Sequence, residues 1–187
     1  MHSWHDVKAT RVTPTDFLAV IEISKGSKNK YELDKETGHL ILDRVLFTST
    51  HYPQNYGFIP RTFADDYDPL DVLVLCSESI IPMSLVECVP IGVLIMTDNG
   101  LNDEKIIAVA KNDPFYNGYH DISEIPNHIM DEIKHFFTVY KSLEKKDTSV
   151  DVFKNHEDAE RIIAECLERY HHDIEPRIIA ERKARGY

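Results

Sequence analysis

The sequence predicts an α+β chain that is mainly β, with a small barrel flanked by two main helices. Short strand-like runs separated by turn signals fill the chain as far as Ala110, and two amphipathic helical stripes follow between Pro126 and Tyr170. No linker, low-complexity stretch or internal repeat interrupts the 187 residues. A single domain covering residues 1–187 is therefore expected.

The strands are predicted from alternating apolar residues, β-branched and aromatic side chains, and bounding turns. They are Phe17–Ile23, Lys30–Asp34, His39–Phe47, Asp71–Cys76, Leu85–Met96 and Lys105–Ala110. Lys30–Asp34 is expected to be the partner of Phe17–Ile23 across the loop Lys25–Asn29, and the turn Lys35-Glu36-Thr37-Gly38 leads into the third strand. A period of two residues puts Lys30 and Glu32 on the same face of the second strand.

The helices are predicted from apolar residues at helical spacing. Pro126 suits the first turn of a helix whose apolar stripe is Ile129, Ile133, Phe136, Phe137 and Tyr140. Asn155 is the expected N-cap of a second helix with the apolar face Ala159, Ile162, Ile163, Cys166, Leu167 and Tyr170. Residues 173–187 form a basic C-terminal extension, which we expect to be a short helix or a flexible tail.

Composition excludes several classes of function. A net charge of −11 argues against a nucleic-acid partner, because such binding needs a basic face. No apolar run approaches the roughly 18 residues of a membrane span, and the first residues lack the features of a signal peptide, so no membrane partner and a cytoplasmic location are expected. Cys76, Cys88 and Cys166 lie in apolar runs and form no Cys-x-x-Cys pair, which predicts buried, reduced thiols.

Four aspartates within seven positions are the strongest functional signal: Asp65, Asp66, Asp68 and Asp71. Like charges at that density repel one another, and hard divalent cations such as Mg²⁺ prefer carboxylate oxygens, so the cluster predicts a metal site. A calcium loop of the EF-hand type does not fit, because counting from Asp66 puts Asp71 where a Gly is required. An acidic, solvated turn is the alternative explanation.

The segment Asp66-Tyr67-Asp68-Pro69-Leu70-Asp71-Val72 resembles the signature of the soluble family I inorganic pyrophosphatases. These enzymes hydrolyse pyrophosphate to two orthophosphates with Mg²⁺. The resemblance covers about residues 16 to 170, and further segments in the family's order are Lys30–Asp34, Asp43-Arg44, Tyr52–Pro60, Met96–Asp98, Asp103–Lys105 and His135–Lys141.

The resemblance implies a five-stranded OB-like barrel and Mg²⁺-dependent hydrolysis of pyrophosphate. It implies several Mg²⁺ ions per subunit, with Mn²⁺ or other divalent ions as possible substitutes. Resemblance to prokaryotic members further implies a homohexamer.

The same resemblance implies a role for each matching residue. Asp68 would be the general base for a water or hydroxide that two metals share. The metal ligands would be Asp66, Asp71, Asp98, Asp103 and, through water, Glu32. The substrate contacts would be Lys30, Arg44, Tyr56, Lys105, Tyr140 and Lys141. Glu22 matches another acidic residue of the cleft, with a supporting role.

Asn99 departs from the family pattern, because many members carry a Glu at this position. Its neutral side chain removes one negative charge and leaves the number of metals on the substrate side open. Two other functions also stay open. One is a Mg²⁺-dependent nucleoside di- or triphosphate phosphohydrolase, and the other is a barrel that binds divalent metal or polyphosphate without turnover.

Overall fold

A computed structural model describes residues 2–98, 100–144 and 148–186, without the side chains of Asp98 and Thr148. The expectation about Asn99 lies outside these residues. Within them, no helix is both long enough and apolar enough to cross a membrane.

Strands make up most of the described part of the chain. They are β1 (Phe17–Ile23), β2 (Asn29–Leu33), β3 (Leu40–Val45), β4 (Asn55–Phe58), β5 (Asp71–Leu75), β6 (Leu85–Asp98), β7 (Leu101–Asn102), β8 (Lys105–Ala110) and β9 (Thr148–Asn155). The α-helices are α1 (Asn127–Val139), α2 (His156–Arg169) and α3 (Glu175–Ala184). A π-helical turn, Tyr170–Ile174, connects α2 to α3, and 3-10 turns lie at Ala9–Arg11, Ile122–Glu124 and Ser142–Glu144.

Five strands close into a ring in the order β1, β4, β5, β8, β6. The ring closes because the long strand β6 pairs antiparallel with β8 and, near its start, with β1. The pairing of β5 with β8 is parallel. Strands β7 and β9 extend the sheet from β6, while β2 and β3 form a separate two-stranded sheet. The second strand thus pairs with β3, and the predicted pairing with β1 is wrong, because β4 and β6 occupy both edges of β1. The predicted mainly-β barrel with two main flanking helices is confirmed.

Each main helix covers one part of the barrel with its apolar stripe. Helix α2 packs its buried residues against barrel side chains such as Val72 and Ile106. Helix α1 packs Ile133, Phe136 and Phe137 into a second cluster with barrel residues such as Leu73. This second contact brings the residues that follow α1 to one end of the barrel.

The structure corrects several predicted boundaries. Pro126 is the N-cap of α1 rather than part of its first turn, and Asp98 rather than Met96 ends β6. Asn155 caps α2 as predicted, because its side-chain oxygen accepts a hydrogen bond from the backbone nitrogen of Asp158 at 3.1 Å.

Cys88 and Cys166 are buried as expected, but Cys76 is only partly buried. The C-terminal extension includes a helix, α3.

Strands β4, β7 and β9 were not predicted. Gly57 lies in the middle of β4, where glycine is unusual, because its missing side chain lets the backbone of β1 approach closely. A β-carbon at this position would overlap the carbonyl oxygen of Val20. The close approach of β1 to β4 therefore requires glycine.

Replacing Gly57 by Ala is expected to lower the free energy of unfolding by about 3 kcal/mol, because the obstructing atoms belong to a paired strand backbone. Urea unfolding would measure the change. Gly118→Ala is the matched control, since its added carbon meets nothing within 4 Å and should change stability by less than about 1 kcal/mol. Equal stability of the two variants would contradict this packing argument.

Candidate active site

A cleft of about 250 Å³ opens at one end of the barrel. Its walls come from the ends of β1, β2, β4, β5 and β8, the loop between β4 and β5, and the residues after α1. Among the described residues, eleven of the thirteen predicted site residues line it: Glu22, Lys30, Glu32, Tyr56, Asp66, Asp68, Asp71, Asp103, Lys105, Tyr140 and Lys141.

The aspartate-bearing loop between β4 and β5 is held closed by its own hydrogen bonds. The buried Thr62 hydroxyl donates to the carbonyl of Ile59 at 2.6 Å and accepts from the backbone nitrogen of Leu70 at 2.8 Å. Near the tip, the backbone nitrogen of Asp68 donates to a carboxylate oxygen of Asp66 at 3.1 Å. Tyr67 between them has a φ of 69°, in the left-handed region that favours glycine. The loop therefore fixes Asp66 and Asp68 at the cleft.

Lys105 lies between two carboxylates at the bottom of the cleft. Its side chain is 2% exposed, and its ammonium nitrogen lies 2.6 Å from an Asp71 oxygen and 2.7 Å from an Asp103 oxygen. The parallel pairing of β5 with β8 sets Asp71 opposite Lys105, and the Tyr56 hydroxyl also donates to Asp71. Burial acts to lower the pKa of Lys105, but Asp103 and Asp71 outweigh burial and raise that pKa well above its usual value. Lys105 is therefore charged.

Carboxylates outnumber cations along the cleft, with six carboxylates and four lysines among the lining residues. Burial, reinforced by the charge of Asp71, raises the pKa of Asp66 to about 6. Burial and Asp71 also raise the pKa of Glu22 to about 8, although the backbone nitrogen of Leu33 donates to Glu22 at 2.7 Å and opposes the shift. Both shifts show that ionising every carboxylate in this cleft is unfavourable without further positive charge.

The donor set fits a hard divalent cation. Among the described residues, no three acidic, histidine or cysteine side chains form a ready-made metal cage, and Lys105 stands between Asp71 and Asp103. Mg²⁺ does not require such a cage, because it binds through one or two carboxylates and keeps water or phosphate oxygens as its other ligands. The excess of carboxylate oxygens in the cleft meets this requirement.

The hairpin of β2 and β3 carries the cations on one side of the cleft. Lys30 forms ion pairs with Glu32 on the same face of β2 and with Asp43 on β3, the latter at 3.2 Å. Arg44, opposite Lys30 in the hairpin register, is outside the immediate cleft lining and contacts Asp43 and Glu144. Asp98 ends β6, and its predicted metal-binding side chain lies outside the described atoms.

Sequence reasoning missed two charged residues at this site. Lys35, in the turn between β2 and β3, lines the cleft and forms an ion pair with Asp68. Glu144, in the 3-10 turn after α1, accepts a hydrogen bond from Arg44. No spacing rule could have found these contacts, because they join residues 33 and 100 positions apart.

Comparisons with known proteins identify the family. The family model described as inorganic pyrophosphatase matches residues 19–171. A soluble inorganic pyrophosphatase of Chlamydomonas reinhardtii is 47% identical over 176 residues, which are 94% of this chain and 92% of the relative.

Comparison with solved structures also finds inorganic pyrophosphatases. The inorganic pyrophosphatase of Helicobacter pylori is 41% identical with a TM-score of 0.84, and the match covers 89% of this chain and 99% of that protein. The inorganic pyrophosphatase of Thermus thermophilus is 37% identical with a TM-score of 0.86, covering 90% of this chain and 99% of that protein. The OB-like fold implied by the sequence resemblance is thereby confirmed. With most of its length matched in sequence and in fold, this chain belongs to the inorganic pyrophosphatase family, the inorganic diphosphatases.

Proposed function

We propose that this chain hydrolyses inorganic pyrophosphate to two orthophosphates in a Mg²⁺-dependent reaction, with Asp68 as the general base. The observation that carries the proposal is a cleft lined by clustered carboxylates, two of which contact the buried ammonium of Lys105. Hydrolysis of a phosphoric anhydride needs the substrate charge offset, a water activated and the departing phosphate stabilised. A cleft with interleaved carboxylates and cations can meet all three needs.

The cations and hydroxyls of the cleft would bind the substrate. Lys30, Lys105 and Lys141 are compact positive charges along the walls, and Arg44 can hold two phosphate oxygens with its planar fork. The hydroxyls of Tyr56 and Tyr140 would donate further hydrogen bonds. Burial raises the pKa of Tyr56 well above its usual value, so its hydroxyl keeps the proton that it donates.

The residues proposed to hold the metal are Asp66, Asp71, Asp98, Asp103 and Glu32. Several Mg²⁺ ions per subunit are proposed, with Mn²⁺ or another divalent ion as a possible substitute. Bound Mg²⁺ would offset the negative charge of the substrate and lower the pKa of water in the cleft.

Asp68 is proposed to take the proton from the attacking water. Its side chain is 48% exposed, so water has access to it, and the ion pair with Lys35 holds it at the mouth of the cleft. Asp68 shares its loop with Asp66 and precedes Asp71 by three positions, so all three face the same space. Glu22 supports the β2 side of the cleft, because it accepts a hydrogen bond from Leu33 at the end of β2.

The size of the cleft favours pyrophosphate over a nucleotide. A volume of about 250 Å³ lies below the roughly 300–1,000 Å³ of pockets that enclose drug-sized ligands. We also propose, on the family resemblance, that the protein is a cytoplasmic homohexamer without nucleic-acid or membrane partners. Native mass spectrometry would measure the number of subunits.

Release of orthophosphate from pyrophosphate tests the proposed function. The purified protein should release phosphate rapidly with Mg²⁺, not with chelator, and only slowly from ATP. Faster release from ATP would favour a nucleotide phosphohydrolase. Metal binding without any release would favour a binding protein.

Asp71→Asn should lower kcat for pyrophosphate by at least about 100-fold, because it removes the charge of a proposed metal ligand. Circular dichroism should show the fold retained. Asp16→Asn is the control, since it removes the same charge from an exposed ion pair with Lys111 and should leave kcat unchanged. Near-normal turnover of Asp71→Asn would refute the assignment.

Asp68→Asn should lower kcat by roughly 10²- to 10⁴-fold, which is the usual contribution of a general base. Metal affinity, measured by calorimetry, should change little, because Asp68 is proposed to move a proton rather than hold the ion. Loss of metal binding in this variant would instead make Asp68 a metal ligand.

A further inference from the structure

Arg44 is held by two acidic side chains, one local and one distant. Its Nη1 group donates to Asp43, the preceding residue, and its Nε group donates to Glu144 at 2.8 Å. The Glu144 side chain is only 5% exposed. A partly buried, charge-assisted hydrogen bond of this length is stronger than an exposed ion pair, which solvent screens.

Glu144 belongs to the turn that also carries two proposed substrate contacts. Its backbone nitrogen donates to the carbonyl of Lys141 at 2.9 Å, which closes the 3-10 turn directly after Tyr140 and Lys141. Arg44, by contrast, lies on β3 in the separate two-stranded sheet. The contact between Arg44 and Glu144 therefore joins two walls of the cleft.

The third nitrogen of the Arg44 guanidinium differs from the other two. Its Nη2 atom is buried and has no hydrogen-bond partner among the residues that the structure describes. A buried donor without a partner is unfavourable, and such groups are rare in folded proteins. Asp43 and Glu144 thus bind two of the three nitrogens, and they fix the guanidinium next to Lys30, which lines the cleft.

We propose that Glu144 is a positioning residue, which holds the Arg44 guanidinium beside the cleft for contact with a phosphate oxygen of the substrate. This inference rests on the proposed function. In this proposal Glu144 does not touch the substrate and affects its binding through Arg44. It also fixes the distance from Arg44 to Lys141, so that both cations can engage one pyrophosphate.

The negative charge of Glu144 and its positioning role predict opposite changes in pyrophosphate binding when Glu144 is replaced. Glu144 is negative and lies near a site for an anion, so simple electrostatics predicts that its removal strengthens binding of pyrophosphate. Positioning predicts weaker binding, because Arg44 then loses its fixed orientation. The sign of the change therefore separates the two accounts.

The test is a double-mutant cycle of Glu144→Gln and Arg44→Gln, with orthophosphate release from pyrophosphate as the assay. We expect Glu144→Gln to lower kcat/KM by about 10-fold or more, mainly through KM, as loss of a hydrogen bond to a charged group predicts. In the Arg44→Gln background, Glu144→Gln should change kcat/KM by less than about 2-fold. The affinity for orthophosphate, measured by calorimetry, should fall in parallel.

Two further variants keep the result interpretable. Glu165→Gln removes the same charge from an exposed ion pair with Arg161 on α2 and should leave KM unchanged. Glu144→Asp keeps the charge but shortens the side chain, so positioning predicts a higher KM while a pure charge effect predicts none. If Glu144→Gln does not fold, the KM of Glu144→Asp provides the test instead.

An unchanged or lower KM in the Glu144 variants would overturn the inference. Additive effects in the cycle would also overturn it, because they would mean that Glu144 acts independently of Arg44. These outcomes require a wild-type protein that hydrolyses pyrophosphate. If the wild type releases no phosphate, the proposed function itself fails.

Discussion

The site depends on one electrostatic constraint: carboxylates gathered at the end of a barrel must be balanced by a few buried cations. Two unit charges 4 Å apart interact by about 4 kcal/mol at the effective dielectric of a protein surface, so an unbalanced cluster would oppose folding. Lys105 supplies the central positive charge, since it contacts both Asp71 and Asp103. The remaining excess of carboxylate suits a site for divalent cations.

The barrel meets this constraint through strand register. Parallel pairing of β5 with β8 sets Asp71 beside Lys105, so the ion pair is a consequence of the sheet itself. The aspartate loop returns to the barrel through the buried hydroxyl of Thr62. The hairpin of β2 and β3 is less tied to the sheet, and side-chain contacts from Glu22 and Glu144 hold it at the cleft. Strand pairing therefore holds the barrel side of the site, whereas side-chain contacts hold the hairpin side.

Much of this could be predicted from the sequence because the signals are local. Short apolar runs bounded by turn signals predicted β1 and β8 with correct bounds, and the cap at Asn155 predicted the start of α2. The aspartates of the loop lie within a few positions of one another, so they had to meet at one place.

The rest depends on contacts between distant parts of the chain. Strand β4 contains a glycine that is favourable only because β1 passes close by, and local propensity therefore argues against the strand. The ion pair between Lys35 and Asp68 and the hydrogen bond between Arg44 and Glu144 form only when the hairpin docks on the barrel. The register of sheets and the docking of hairpins carry information that no short segment contains.

The most direct test of the electrostatic account is the stability of Lys105→Met in a chelating buffer. The account predicts a loss of about 3–5 kcal/mol in the free energy of unfolding, because two partly buried carboxylates lose their buried cation. Lys111→Met, which breaks an exposed ion pair with Asp16, should lose less than about 1 kcal/mol. A Lys105→Met protein as stable as the Lys111→Met control would contradict the claim that Lys105 balances the carboxylates.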